Sequence, residues 1–363
     1  MNLDKIEEIL ENEPSFREDQ VKKALFQRGV QDWSEVKTLP KKIRKRLTRA
    51  NTLQIESQIS ESIDEKTVKA TIKLKDGKLV ESVLMRHQEE RNTVCVSTQI
   101  GCRLGCEFCA TGKMRFIRNL TKEEIIMQVY YFLRFSELEN IDNVVFMGMG
   151  EPFLNYEAVN STINTLNDEN AFNIGSRKIS VSTAGLPEKI KKFALDQPQV
   201  NLAVSLHAAD NKTRSKLMPI NKKHPLKELF SAVDYYIKKT NRKVMFEYIP
   251  FKGVNDRPED IDNLVSLLEN RLHFVNIIPY NKIKNRKSSS EPNTEEFKNK
   301  LEKRGLNVGI RESFGQDIEG ACGQLALDNS STERASKYEK GLDSKKIKRN
   351  IDQIKKIKFK NND

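Results

Sequence analysis

Residues 93–112 read TVCVSTQIGCRLGCEFCATG, a β-branched run followed at once by three cysteines spaced C-x3-C-x2-C. The run TVCVSTQ (93–99) predicts a strand, so Cys102, Cys106 and Cys109 fall together in one tight loop after it. No fourth cysteine or nearby histidine completes a tetrahedral set, which argues against structural zinc. A four-iron, four-sulfur cluster held by three thiolates instead keeps one iron open to an outside ligand. That is the arrangement needed to bind S-adenosylmethionine (SAM) and cleave it reductively.

Downstream, short β-branched runs alternate with amphipathic helices. Strands are predicted at NVVFMG (143–148), KISVSTA (178–184), NLAVSLH (201–207), KVMFEYIP (243–250) and HFVNIIPY (273–280), which with the first run makes six β/α units. The expected fold is therefore α/β, a partial (β/α)6 barrel. A last strand, NVGIRES (307–313), leads into a Gly-rich loop, and Thr121 with Glu124 forms a capping box at the helix after the cysteines. Polar residues sit where these strands end, the rim on which active sites of such barrels collect. Gly148 and Gly150 let the backbone approach a ligand closely, and Glu151 can accept a hydrogen bond from a ligand ammonium. Ser182, Ser205, Leu206, His207 and Asn281 converge on the same rim, although a histidine such as His207 is by itself more often a core residue.

Upstream, residues 1–60 read as a small helical module whose last helix carries Lys41, Lys42, Arg44, Lys45, Arg46 and Arg49. Residues 61–90 read as a β-hairpin linker turning at Asp76-Gly77, residues 91–325 as the barrel with its C-terminal loop, and 326–363 as a basic tail. From 329 onward that tail has 11 Lys or Arg against 5 Asp or Glu, about half of the chain's net charge of +12. The balance fits a polyanionic partner, because each neutralised phosphate releases counterions. No apolar run approaches the ~18 residues that cross a bilayer, and the acidic amphipathic start is unlike a signal peptide. The expectation is a cytoplasmic protein with no membrane partner, acting as a monomer.

The motifs CxxxCxxC-ATG, GMGEP, SVSTAG, AVSLHA, KLMPIN and GACGQL, in that order, resemble RlmN-type radical SAM RNA methyltransferases from about Phe16 to Leu325. The resemblance implies a radical SAM barrel binding the cluster through Cys102, Cys106 and Cys109, with Gly150, Glu151, Ser182, Ser205, Leu206, His207 and Asn281 contacting SAM. It also gives roles to two cysteines that packing alone would explain. Cys322 in GACGQL matches the family's methyl-accepting cysteine, and Cys95 its partner in a transient disulfide. Glu81 in KLVESVLM resembles the proton acceptor, with a spacer to Cys95 one residue longer than the family pattern.

The implied reaction is methylation of adenine C2 in 23S ribosomal RNA and in transfer RNA, using two SAM per turnover and a low-potential donor such as flavodoxin. C2 is electron-poor and cannot displace a methyl group from SAM as an amine would, so a radical route is required. The base must also be extruded to be reached. Pro152 in GMGEP and the Phe16-Arg17 entry point to the C2 enzymes and away from the Cfr-type C8 branch. The alternative outside catalysis is an RNA-binding relative that has lost turnover, against which the complete five-cysteine set weighs.

Overall fold

The alternating pattern folds into one sheet of ten strands. The computed structural model describes residues 1–88, 90–134, 138, 140–282 and 293–327. Helices α1 (Leu3–Leu10), α2 (Phe16–Phe26) and α3 (Lys41–Arg49) come first, then strands β1 (Ser57–Glu61), β2 (Thr67–Lys73) and β3 (Leu79–Arg86). Strand β4 (Asn92–Cys95) follows, and then a short pair, β5 (Gln99–Ile100) and β6 (Arg118–Asn119), with the one-turn helix α4 (Ala110–Lys113) between them. The rest alternates: α5 (Lys122–Leu133), β7 (Asn143–Phe146), α6 (Tyr156–Asn167), β8 (Ile179–Thr183), α7 (Pro187–Asp196) and β9 (Asn201–Ser205). After α8 (Asn211–Leu217) and α9 (Leu226–Thr240) come β10 (Val244–Tyr248), α10 (Pro258–Leu268), β11 (His273–Ile277), α11 (Thr294–Lys303) and β12 (Val308–Ile310).

Strands β4, β7, β8, β9, β10, β11 and β12 lie side by side and parallel. Strands β1, β2 and β3 extend the same sheet as an antiparallel flap joined at β4. Edge strands β1 and β12 do not pair with each other, so the barrel is partial, as the six-unit pattern predicts, with β12 continuing it. The expected hairpin around Asp76-Gly77 is present as β2 and β3, but β1 falls within the segment read as helical. Its residues, SQISE, show no apolar alternation because an edge strand is defined by its partner's hydrogen bonds and not by burial. The first run also departs from expectation, because β4 ends at Cys95 and not at Gln99. Beyond it, Ser97 is held outside the ladder: its amide donates to the Gln128 side chain at Oε1 and its hydroxyl to the Glu81 backbone carbonyl.

Alternation along the strands sorts the two faces. Val94, Val144, Ile179, Val181, Leu202, Val204, Phe246 and Val275 are fully buried on the outer face. The flanking helices bury their own apolar positions, among them Ile125, Ile163, Ile190, Leu229, Val233 and Leu264. The inner face carries Thr93, Asn143, Ser180, Ser182, Asn201, Ser205, Glu247 and Asn276, which line cavities. An interior this polar is a site and not a packed core.

The capping box at Thr121 is formed. Helix α5 in turn receives the N-terminal helices: Tyr130 donates to the Val30 carbonyl at 2.6 Å, and Gln31 to the Arg134 carbonyl at 2.7 Å. Met1–Ala326 form one unit, and the basic tail expected over 326–363 lies outside the described residues from 328 onward. No described helix is long and apolar enough to cross a membrane.

Candidate active site

The cysteine loop is shaped by Gly101, whose φ of +72° favours glycine and whose Cβ, if present, would lie 2.2 Å from the Arg115 carbonyl oxygen. Its far end is tied down on two sides. The Glu107 amide donates to the Leu217 carbonyl at 2.9 Å, and the Ala110 amide to the Gly323 carbonyl at 2.7 Å. Cys102, Cys106 and Cys109 are half-buried free thiols lining one cavity of about 150 Å³. Burial pushes Cys102 up to about 12 and also raises Cys106 and Cys109, with the neighbouring thiolates adding to the effect at Cys106. Among the described residues no three Cys, His, Asp or Glu side chains crowd one point closely enough to hold a single metal ion. Three sulfurs spread around a cavity suit a larger cluster, whose iron would offset the cost of ionising buried thiols.

The strand ends supply the opposite wall. Gly150 (φ +99°) allows a close approach, but to the chain itself: a Cβ there would meet the Gln99 side chain at 2.5 Å, and one at Gly148 would meet Ser97 Oγ at 2.7 Å. The expected approach to a ligand is thus first an approach to the turn after β4. Glu151 is buried, and its carboxylate accepts from the amides of Phe153 (3.0 Å) and Ala184 (2.8 Å). Desolvation raises its pKa against those bonds. Ser182 and Ser205 lie side by side with hydroxyls 3.4 Å apart.

His207 is fully buried with φ +54°, a conformation unfavourable for residues with a side chain. Its Nδ1 accepts from the Ile249 amide at 3.1 Å, which leaves the proton on Nε2. Burial first, and the Arg214 charge second, pull it down to about 3, so the ring is neutral. Leu206 does not line the cavity. Its amide donates to the Glu247 carbonyl and its own carbonyl accepts from Arg214. Asn281 bonds within the chain too: its amide donates to the Cys322 carbonyl at 3.0 Å and its Oδ1 accepts from Gln316.

A second, smaller cavity of about 80 Å³ adjoins the first and is lined by Cys95, Cys109, Cys322, Asn281 and Arg311. The two share Cys109, Arg311 and Cys322. Cys95 is buried and pushed up to about 12, by desolvation first and by the charge of Cys322 second. Cys322 is half-buried on the turn after β12, so the fold brings together two cysteines separated by most of the barrel. Glu81 lies on the face of β3 that also carries Val83 and Met85 of the cavity wall, with Val83 opposite Cys95. It is buried, ion-paired with Lys69 at 3.3 Å, and its Oε2 has no hydrogen-bond partner. Burial raises its pKa against the opposing pull of Lys69.

Three site residues escaped the sequence reading. Arg311 directly follows β12, approaches Met147 Sδ at 3.1 Å and Glu247 at 3.8 Å, and is held charged first by Cys322. Glu247 is buried at the end of β10 with Oε2 unpartnered. The available signal was a charge at the end of each apolar run, in VMFEY and NVGIR, where burial without a purpose is costly. The third, Arg214, gave no signal, because helix α8 reads as polar up to its last residue, Leu217.

Known proteins resemble this chain over most of its length. Residues 96–268 match the model of the Radical SAM superfamily. The chain is 43% identical to the Salinibacter ruber protein described as "Probable dual-specificity RNA methyltransferase RlmN", over 86% of this chain and 88% of that one. A protein of the same description from Dictyoglomus turgidum is 41% identical, over 89% and 94%. The crystal structure of a radical SAM methyltransferase from Sphaerobacter thermophilus superposes with a TM-score of 0.82 at 38% identity, covering 89% of this chain and 97% of the other. Membership implies a four-iron, four-sulfur cluster and SAM, which the three thiols and the polar cavity fit. The chain belongs to the RlmN-type dual-specificity RNA methyltransferases, SAM-dependent enzymes of the radical SAM superfamily.

Proposed function

We propose that this enzyme methylates C2 of adenine in 23S ribosomal RNA and transfer RNA through a methyl group carried on Cys322. The observation that carries the proposal is the shared cavity wall of Cys95, Cys322 and Cys109, which sets a pair of non-cluster thiols against a cluster thiol. Cys102, Cys106 and Cys109 would hold the cluster. Gly150, Glu151, Ser182, Ser205, Leu206, His207 and Asn281 would bind SAM directly or shape its walls. When bound, the reduced cluster supplies the electron that cleaves SAM to a 5′-deoxyadenosyl radical.

The residues then divide the work. Cys322, which shares a cavity wall with Arg311, would take a methyl group from a first SAM by substitution at carbon. Loss of one hydrogen atom from that S-methyl group to the radical would let its carbon bond adenine C2, and the resulting adduct would give up one electron, for which the oxidised cluster would be the acceptor. Cys95 attacks the Cys322 sulfur and releases the methylated base as a disulfide forms. Desolvation first and the Cys322 charge second hold Cys95 protonated, and methylation of Cys322 removes the second of these. Glu81, a buried carboxyl of raised pKa, accepts the proton lost from the ring. The apolar cluster of Phe108, Met218, Phe251 and Ile278 around the thiols excludes water from the radical.

Exposed Lys41, Lys42, Lys45, Arg46 and Arg49 on α3 support a role for residues 1–60 in gripping RNA, with the 326–363 tail as a second basic segment. A flavodoxin-type donor in the cytoplasm would reduce the cluster. The test is anaerobic turnover with reconstituted protein, reductant, methyl-labelled SAM and each RNA, followed by mass spectrometry of the digested nucleosides. The expected product is 2-methyladenosine, absent in Cys322→Ala and Cys102→Ala. An 8-methyladenosine product, or no methylated adenine despite an intact cluster, would refute the assignment.

A further inference from the structure

Arg214 is fully buried, and its guanidinium spends its donors on neutral acceptors: the carbonyls of Leu206 (3.1 Å), Ala184 (2.7 Å) and Ser205 (3.1 Å), and Asn221 Oδ1 (2.9 Å). None of the described carboxylates forms an ion pair with it. A buried unpaired charge is costly, and neutral donors could satisfy the same acceptors, so the charge itself needs a reason. Cys106, next to Glu107 in the cluster loop, is the thiol that senses the Arg214 charge. Helix α8 carries both contacts to the cluster loop, because the Leu217 carbonyl, one turn beyond Arg214, accepts from the Glu107 amide at 2.9 Å. The space around Cys106 and Cys109 is otherwise apolar, packed by Leu104, Leu217, Met218 and Ile220, so little solvent screens the charge.

We propose that Arg214 is the counter-charge of the iron-sulfur site: a fixed buried cation that raises the reduction potential of the cluster while tying the ends of β8 and β9 to the cluster loop. This rests on the reading that Cys102, Cys106 and Cys109 hold the cluster. Reduction adds one electron to a group already made anionic by three thiolates, and a nearby cation stabilises the reduced form more than the oxidised one. Arg214 is a positioning residue in this account: it holds the Ala184 and Ser205 carbonyls from behind the cavity wall and does not itself line either cavity.

The test is an anaerobic redox titration of reconstituted full-length protein, read by the visible absorption and electron paramagnetic resonance of the cluster. Arg214→Gln keeps donors for two carbonyls and removes the charge. At a fixed potential it should shift the oxidised-to-reduced ratio about tenfold toward oxidised, which is about 59 mV for one electron. Arg214→Lys keeps the charge and loses the fork, so its potential should stay near that of the wild type although its melting temperature falls. Asn221→Asp puts a carboxylate where Asn221 Oδ1 already accepts from Arg214, neutralising the charge in place. It should lower the potential as Arg214→Gln does, and it decides the matter if Arg214→Gln does not hold a cluster. Wild-type potentials in the charge-removing variants that load iron would overturn the counter-charge. A wild-type chain that loads no cluster, by iron content and absorption, would instead overturn the cluster reading on which it rests.

Discussion

Replacing His207 by asparagine should flatten the acid dependence of this protein's stability. The imidazole is fully buried, and its pKa is pulled from 6.5 to about 3, by desolvation first and by Arg214 second. In the unfolded chain the ring binds a proton near pH 6.5, whereas in the folded state it stays neutral until about pH 3. The unfolded state therefore gains protons first as pH falls. Stability is fully present above about pH 6.5 and is lost on acidification through the window between the two values. From pH 7 to pH 5 this one group removes about 2 kcal/mol, at about 1.4 kcal/mol per pH unit once below 6.5. Asparagine is the informative replacement. It tolerates the positive φ of +54°, its Oδ1 can accept from the Ile249 amide in place of Nδ1, and it does not titrate. Urea unfolding of the cluster-free protein at pH 7, 6 and 5 measures the effect. The remaining histidines are common to both proteins, so the difference between the two curves isolates position 207. Parallel curves would refute the claim that His207 is buried as the neutral ring.

Gly101→Ala should cost about 1–3 kcal/mol of stability and reduce iron loading, because the added Cβ meets the Arg115 carbonyl in a backbone conformation that suits glycine; thermal unfolding and iron content check it. Glu81→Gln should lower product formation by about a hundredfold or more while the S-methylation of Cys322 continues, read by intact-protein mass. Cys95→Ala should stall after carbon–carbon bond formation, leaving a protein–RNA adduct that survives a denaturing gel. A freely released product in that variant would remove Cys95 from the resolving step.

How much was legible in advance differed residue by residue. The parallel strands of the barrel were readable because each is a β-branched run with glycine or a polar residue at its end, and burial on the outer face demands that pattern locally. The strand β1 was not readable, since SQISE becomes a strand only by bonding to β2. Asn281 and Leu206 were expected on the rim from their position after a strand. Their side chains turn elsewhere, Asn281 to Gln316 and the Cys322 backbone and Leu206 into the core, because hydrogen-bond partners from distant segments decided their orientation.

Spacing within the chain by itself determined the cysteine loop: three thiols within eight residues must sit close together whatever surrounds them. It likewise determined where the strands of the repeating units fall and the chemistry that a three-thiol set implies. Only the tertiary structure decided which charges share the site. Arg311 shares a cavity wall with Cys95 and Cys322, Glu247 lines the cavity of the three clustered thiols, and Arg214 holds the backbone behind that wall. Charges act through distance and desolvation, and both are set by folding: no local pattern marks which buried cation faces which thiol.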